Sequence, residues 1–241
     1  MIAVPFIVLV SALAWIVIIL QMQRATFWKS QIAAFEKADR VHPPSLGGIV
    51  FTGGSTVRYW KTLERDMAPL PVINRGFGGA HISHVNDYLD RVVFPYTPRA
   101  VVLYAGANDL GWPGRKSPET VCEDFKRFVK AIQTKLPGTR IYFVSINFAP
   151  FRRGRWPETQ SANRLIREFA STVDGVSFID VSTPMLDARG QPRADAFPWY
   201  RLHMTPRGYE VWTAIIKPVL TKDFAFGAEQ SQGSKSRDPQ S

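Results

Sequence analysis

Ile49-Val50-Phe51-Thr52-Gly53-Gly54-Ser55-Thr56 is the stretch on which the fold of this chain turns. Its apolar, β-branched start reads as a buried strand, its glycines as a tight turn, and its serine stands where a helix can begin. A hydroxyl at a strand-to-helix turn sits beside unpaired backbone N–H groups, which can hold the oxyanion formed when that hydroxyl attacks an ester. Structural turns share this composition, so the segment gains meaning only from its neighbours.

Outward from Ser55, apolar runs and helical patterns alternate. Strands are predicted over about 48–53, 70–74, 99–105, 140–146 and 176–180, with helices around 56–66, 81–91, 117–135, 157–171 and 206–221. Strict alternation argues for an α/β fold, a parallel sheet covered on both faces. With 45% hydrophobic and 21% charged residues, the 241-residue chain suffices for one such domain beside a short N-terminal segment, and a second full domain does not fit. No internal repeat is present.

Three further strand ends carry chemistry. Asn74-Arg75-Gly76-Phe77-Gly78-Gly79-Ala80 is a glycine loop where backbone can approach a ligand. Ala100 to Tyr104 reads as a buried strand leading to Ala105-Gly106-Ala107-Asn108-Asp109, a small-residue turn with a side-chain amide. His203 precedes Thr205-Pro206, a good N-cap and first-turn pair for the last helix. Ser, Gly, Asn and His at successive strand ends, in this order and spacing, resemble the SGNH (GDSL-type) hydrolase family over about residues 45–222.

That resemblance implies a three-layer α/β/α sandwich with a five-stranded parallel sheet, flavodoxin-like, with the site residues at its carboxyl edge. It implies Ser55 as nucleophile, His203 as general base, and an oxyanion hole from the N–H groups of Ser55 and Gly79 and the side-chain amide of Asn108. The chemistry asks for these types: imidazole takes the proton of a poor nucleophile, and neutral donors hold the developing negative oxygen.

Two positions depart from the family pattern. Gly54 stands where the Gly-Asp-Ser block has aspartate, and Tyr200 stands where the Asp-x-x-His block has the carboxylate that orients the imidazole. A phenol with a pKa near ~10 stays neutral at pH 7 and cannot stabilise imidazolium as a charge does. A serine–histidine dyad is therefore expected. A backbone carbonyl near Trp199 or Tyr200, Asp195 folded back, or the Tyr200 hydroxyl could orient the ring.

Competing motifs fail on particular residues. Gly76-Phe77-Gly78-Gly79-Ala80-His81 has histidine where a dinucleotide fingerprint needs its third glycine, and Gly48 to Ser55 has Gly54 where a phosphate loop needs lysine. Gly53-Gly54-Ser55-Thr56-Val57 lacks the final glycine of a nucleophile elbow. His81 and His84 have ligand-like spacing but no third partner, so no metal or other cofactor is expected; they should face solvent or line the cleft near Gly79. Cys122 lies in the helical pattern of Val121, Phe125, Phe128, Val129 and Ile132 as a core thiol, and Asp109 reads as a turn or cap residue. One cysteine leaves the redox compartment open.

Ile2 to Leu20 contains no charged residue, and as a helix would reach roughly 28 Å at about 1.5 Å per residue. No basic residue precedes it and its Ala12-x-Ala14 lies inside it, so residues 1–22 read as an uncleaved transmembrane anchor rather than a signal peptide. Arg24 and Lys29 after the span lean toward a cytoplasmic catalytic domain, with the other face open. Residues 23–44 form an amphipathic connecting helix (Phe27, Ile32, Phe35) and linker, 45–222 the hydrolase domain, and 223–241 a polar tail expected to be disordered.

The formal charge of +10 is densest at Arg152-Arg153-Gly154-Arg155, either a solvated loop or a cover over the cleft or anionic headgroups. No recognition motif accompanies it, so nucleic acid is not an expected partner. Trp156, Phe197 and Trp199 are candidates for an apolar acyl wall. The sequence thus predicts a membrane-anchored serine esterase acting on a small-molecule, lipid or glycan ester. The alternative is a weakly active or non-catalytic module binding acylated lipid or glycan.

Overall fold

The computed structural model describes residues 28–111, 115–198 and 202–233, with side chains of the last helix to 224. Ile2 to Leu20, Trp199, Tyr200 and residues 234–241 lie outside the described residues. No helix among the described residues is long and apolar enough to cross a membrane.

Five parallel strands, β1 (Ile49–Gly53), β2 (Val72–Gly76), β3 (Ala100–Tyr104), β4 (Arg140–Val144) and β5 (Val176–Ile179), are ordered β2-β1-β3-β4-β5. Side chains alternate along each strand, so both faces must be covered. Val101 and Leu103 of β3 enter one core, Val102 and Tyr104 the other. The first core is closed by α1 (Lys29–Val41), α4 (Ile82–Asp87), α5 (Leu89–Val92), α7 (Pro118–Lys135) and α8 (Trp156–Ala170). The second is closed by α2 (Ser55–Tyr59), α3 (Leu63–Met67) and α9 (Pro206–Gly233), around Trp60 and Trp212. A short α6 (Ala107–Leu110) follows β3. The expected three-layer sandwich is therefore present, and each large core side chain contributes about 1.5–3 kcal/mol by leaving water.

Several boundaries differ from expectation. The predicted helix over 56–66 breaks between Tyr59 and Leu63, because Trp60 turns fully into the second core while the Asn74 amide captures the carbonyls of Val57 and Trp60. The helix predicted over 81–91 likewise divides at Tyr88. β2 lies two residues later than predicted, and its polar Asn74 and Arg75 are satisfied by partners distant in sequence. The last helix does not end near 221; it continues to Gly233 through what was expected to be disordered tail. Ala225, Ala228, Glu229 and Gln230 are good helix formers, and a polar stretch can prolong a helix that is already nucleated.

Helix α1 is more than a connector. Trp28 and Ile32 are fully buried in the first core, Arg75 of β2 pairs with Asp39, and Arg91 of α5 pairs with Glu36 at 2.6 Å.

Candidate active site

Gly53 makes the turn that presents Ser55. Its φ is +131°, and a Cβ there would lie 2.0 Å from the Tyr104 carbonyl oxygen, so only glycine lets β1 end against β3 in this way. Gly54 makes no such demand: a Cβ would sit 3.4 Å from Asn108 Nδ2, an ordinary contact. Ser55 then opens α2, and its Oγ lies 2.9 Å from His203 Nε2. This is the arrangement in which a hydroxyl donates to an unprotonated ring nitrogen.

What brings residues 148 apart into contact is the docking of α9 on α2. The Tyr209 hydroxyl donates to the Thr56 carbonyl at 2.9 Å, and the Tyr209 ring packs on Trp60 at 5.3 Å. Tyr59 meets the His203 ring edge-on at 4.9 Å.

Asn108 sits in α6, after a Gly106 whose φ is +109° and whose absent side chain leaves room for Ile146. Its Nδ2 donates to the Ala80 carbonyl at 3.1 Å, and its Oδ1 accepts from Arg152 Nη2 at 2.9 Å. The side-chain amide is thus held at both ends. Ser55, Asn108, Arg152 and His203 share the wall of one cavity of about 50 Å³, with Asn147, Phe197 and Met204. Gly79 does not line that cavity. It lies one residue before Ala80 in the loop after β2, at φ +75°.

Arg152 divides the basic cluster. It turns into the cavity, while Arg153 stays exposed over the Trp156 ring and Arg155 pairs with Glu158 at 2.7 Å. Its one sequence signal was its position just beyond the end of β4, the edge to which β1 and β3 also deliver Ser55 and Asn108. Burial lowers the pKa of His203, and the nearby Arg152 charge lowers it further; no carboxylate among the described residues offsets them. The ring is therefore held neutral, as a base must be.

Asp195 does not reach back as one alternative had it. It is exposed and engaged by Arg193 at 2.8 Å and Arg207 at 3.7 Å. The carbonyls of Trp199 and Tyr200 and the Tyr200 hydroxyl lie outside the described residues.

The remaining candidates have structural partners. Asp109, fully buried, accepts from the Ile82 N–H at the start of α4 and pairs with Lys116 at 2.9 Å, as a cap residue should. His81 and His84 stack at 4.5 Å, with the His81 N–H donating to His84 Nδ1, and burial first, then neighbouring positive charge, holds both rings down to about 4. Cys122 is a buried core thiol.

The family model described as GDSL-like lipase/acylhydrolase matches residues 39–211. No curated protein matches the chain. Among solved structures, a Streptococcus pneumonia protein provisionally named a platelet activating factor superposes with a TM-score of 0.73 at 19% identity, over 88% of this chain and 98% of that one. A GDSL-like lipase from Bacteroides thetaiotaomicron gives 0.68 at 19% identity, over 80% and 98%. The lipase/acylhydrolase from Enterococcus faecalis gives 0.62 at 21%, over 73% and 95%. At these identities the likeness is one of fold. With its family model spanning most of the domain, the chain belongs to the GDSL-like lipase/acylhydrolase family, whose members are ester-hydrolysing enzymes.

Proposed function

We propose that this enzyme is a membrane-anchored serine hydrolase that cleaves carboxylic esters through an acyl-Ser55 intermediate. The observation that carries this reading is the 2.9 Å approach of Ser55 Oγ to His203 Nε2 beside the Asn108 amide. His203 takes the hydroxyl proton as Oγ bonds to the ester carbon. The carbonyl oxygen becomes an oxyanion held by the N–H groups of Ser55 and Gly79 and by Asn108 Nδ2. His203 then gives that proton to the departing alkoxide, and the alcohol leaves. Water attacks the acyl-serine in the second half, its proton passing to His203 and on to Ser55 as the acid is released.

Arg152 adds to this scheme in two ways. Its hydrogen bond to Asn108 Oδ1 fixes the amide, whose nitrogen gives one N–H to the Ala80 carbonyl and keeps the second for the oxyanion. Its positive charge favours the oxyanion and disfavours imidazolium, opposite in effect to the carboxylate of a full triad. An Arg–oxyanion attraction in a small cavity compensates for the weaker support at the histidine.

The uncharged Ile2–Leu20 segment supports the anchor. The test uses the full chain in detergent: p-nitrophenyl acetate hydrolysis and fluorophosphonate labelling should both be lost in Ser55→Ala, and Asn108→Ala should lower kcat by roughly 10²–10³-fold. Equal rates for Ser55→Ala and wild type would leave only the binding-module alternative. Alkaline extraction of membranes checks the anchor, which predicts retention in the pellet.

A further inference from the structure

No carboxylate among the described residues stands behind the His203 imidazole as it would in a full triad. One hydrogen bond among those residues holds the ring, between Ser55 Oγ and Nε2 at 2.9 Å. The second contact that bears on it is aromatic: the Tyr59 ring lies 4.9 Å away, centroid to centroid, with the two planes at 81°. Ser55 and Tyr59 are the first and last residues of α2, four positions apart, so they stand on the same helix face. One short helix therefore presents the nucleophile and an aromatic ring side by side, and His203 rests against both.

The formal charges around this pair are positive. Arg152, from the turn after β4, shares the cavity wall with His203, and the Arg58 guanidinium lies 5.7 Å from the Tyr59 ring centroid. Burial and then the Arg152 charge hold His203 neutral. That suits a base waiting for a proton and opposes the imidazolium that the reaction must form. A perpendicular pair of rings brings the positive edge of one to the negative face of the other. The attraction strengthens when the ring offering its edge becomes a cation, so it acts on protonated histidine more than on the neutral ring. Tyr59 is 45% exposed and belongs to neither core, so the fold does not depend on its ring.

Resting on the Ser55–His203 reading, we propose that Tyr59 is a positioning residue that does for His203 what the carboxylate does in a full triad. Its π face receives an edge of the imidazole, fixes the ring toward Ser55 and stabilises the imidazolium. The proton leaves Ser55 Oγ for Nε2 as Oγ bonds to the ester carbon, and Tyr59 supports the cation until that proton passes to the departing alkoxide. The support needs the ring and not the phenol hydroxyl.

The test follows p-nitrophenyl acetate hydrolysis by the full-length enzyme in detergent across pH, with thermal unfolding as the check on folding. Tyr59→Leu, and Tyr59→Met as a second ring-free side chain, should lower kcat about three- to tenfold. KM should change little, since Tyr59 does not line the cavity. Tyr59→Phe, which restores a ring without the hydroxyl, should recover most of the loss. In the ring-free variants the acidic limb of kcat/KM should also move to lower pH, because imidazolium loses its support and the His203 pKa falls. Loosened packing does the reverse: water reaching the imidazole relieves its desolvation, raises its pKa and moves the limb up. A fall in kcat with the limb unmoved or moved up would therefore overturn the proposal. So would an unchanged kcat in both ring-free variants, or a Tyr59→Phe as impaired as Tyr59→Leu. Hydrolysis by Ser55→Ala at the wild-type rate would instead bring down the reading on which the proposal rests.

Discussion

The Trp28 indole N–H donates a 2.7 Å hydrogen bond to the carbonyl of Gly78, one residue before the predicted oxyanion donor Gly79. The same ring packs edge-on against Phe77 at 5.7 Å, and Gln31 accepts from the Gly78 N–H at 3.3 Å. The segment that follows the apolar N-terminus therefore braces the glycine loop of the site.

Trp28→Phe should keep most of the burial and lose the hydrogen bond, lowering stability by about 1 kcal/mol, whereas Trp28→Ala should cost about 3–5 kcal/mol. Both are read by thermal unfolding. Because the loop holds Gly79 and Ala80, Trp28→Phe should also lower kcat with little change in KM. An unchanged kcat would mean that the loop keeps its shape without the indole.

His203→Ala should reduce ester hydrolysis by several orders of magnitude. Asp195→Ala should leave most activity, since that carboxylate is engaged by Arg193 and Arg207 at the surface. Comparable losses in the two variants would identify Asp195 as the orienting group after all.

Arg152→Met should move the acidic limb of the kcat/KM profile to higher pH. In the wild type, burial and then the Arg152 charge keep the His203 pKa below its ordinary value, so the base stays unprotonated into mildly acidic solution. Removing the charge raises that pKa, and protonation then begins to silence the base at a higher pH. A limb that stays put would separate Arg152 from the histidine electrostatically.

His81 and His84 should make the fold acid-sensitive. Their folded pKa values of about 4 lie below the unfolded value near ~6.5, so the unfolded chain takes up protons first. Stability is full above about pH 6.5 and should decline as pH falls toward 4, by roughly 3 kcal/mol for each ring. His84→Gln retains an acceptor for the His81 N–H without a titrating ring. Unfolding followed across this pH range should show a shallower decline for that variant.

The strands were legible where the code is local. β1, β3 and β4 are built on the apolar runs Ile49–Phe51, Ala100–Tyr104 and Ile141–Val144, and a parallel strand buried on both faces requires that pattern. β2 was less legible because Asn74 and Arg75 look like loop residues until Val57, Trp60, Tyr96 and Asp39 arrive as partners. The break at Trp60 has no local signature for a related reason: propensity continues the helix, and only core packing ends it. At the site, the order of Ser55, Gly79, Asn108 and His203 was visible as motif, but nothing local to Arg152 distinguishes it from Arg153 or Arg155.

The sequence by itself determined the alternation of strands and helices, and therefore a covered parallel sheet whose carboxyl edge carries the reactive residues. It did so because apolar periodicity and glycine turns act over a few residues. Only the tertiary structure decided that His203 reaches Ser55, that Arg152 rather than its neighbours enters the cavity, and that α1 grips the loop at Gly78. Those are meetings between segments far apart in the chain, set by how helices dock on the sheet, and no local pattern encodes them.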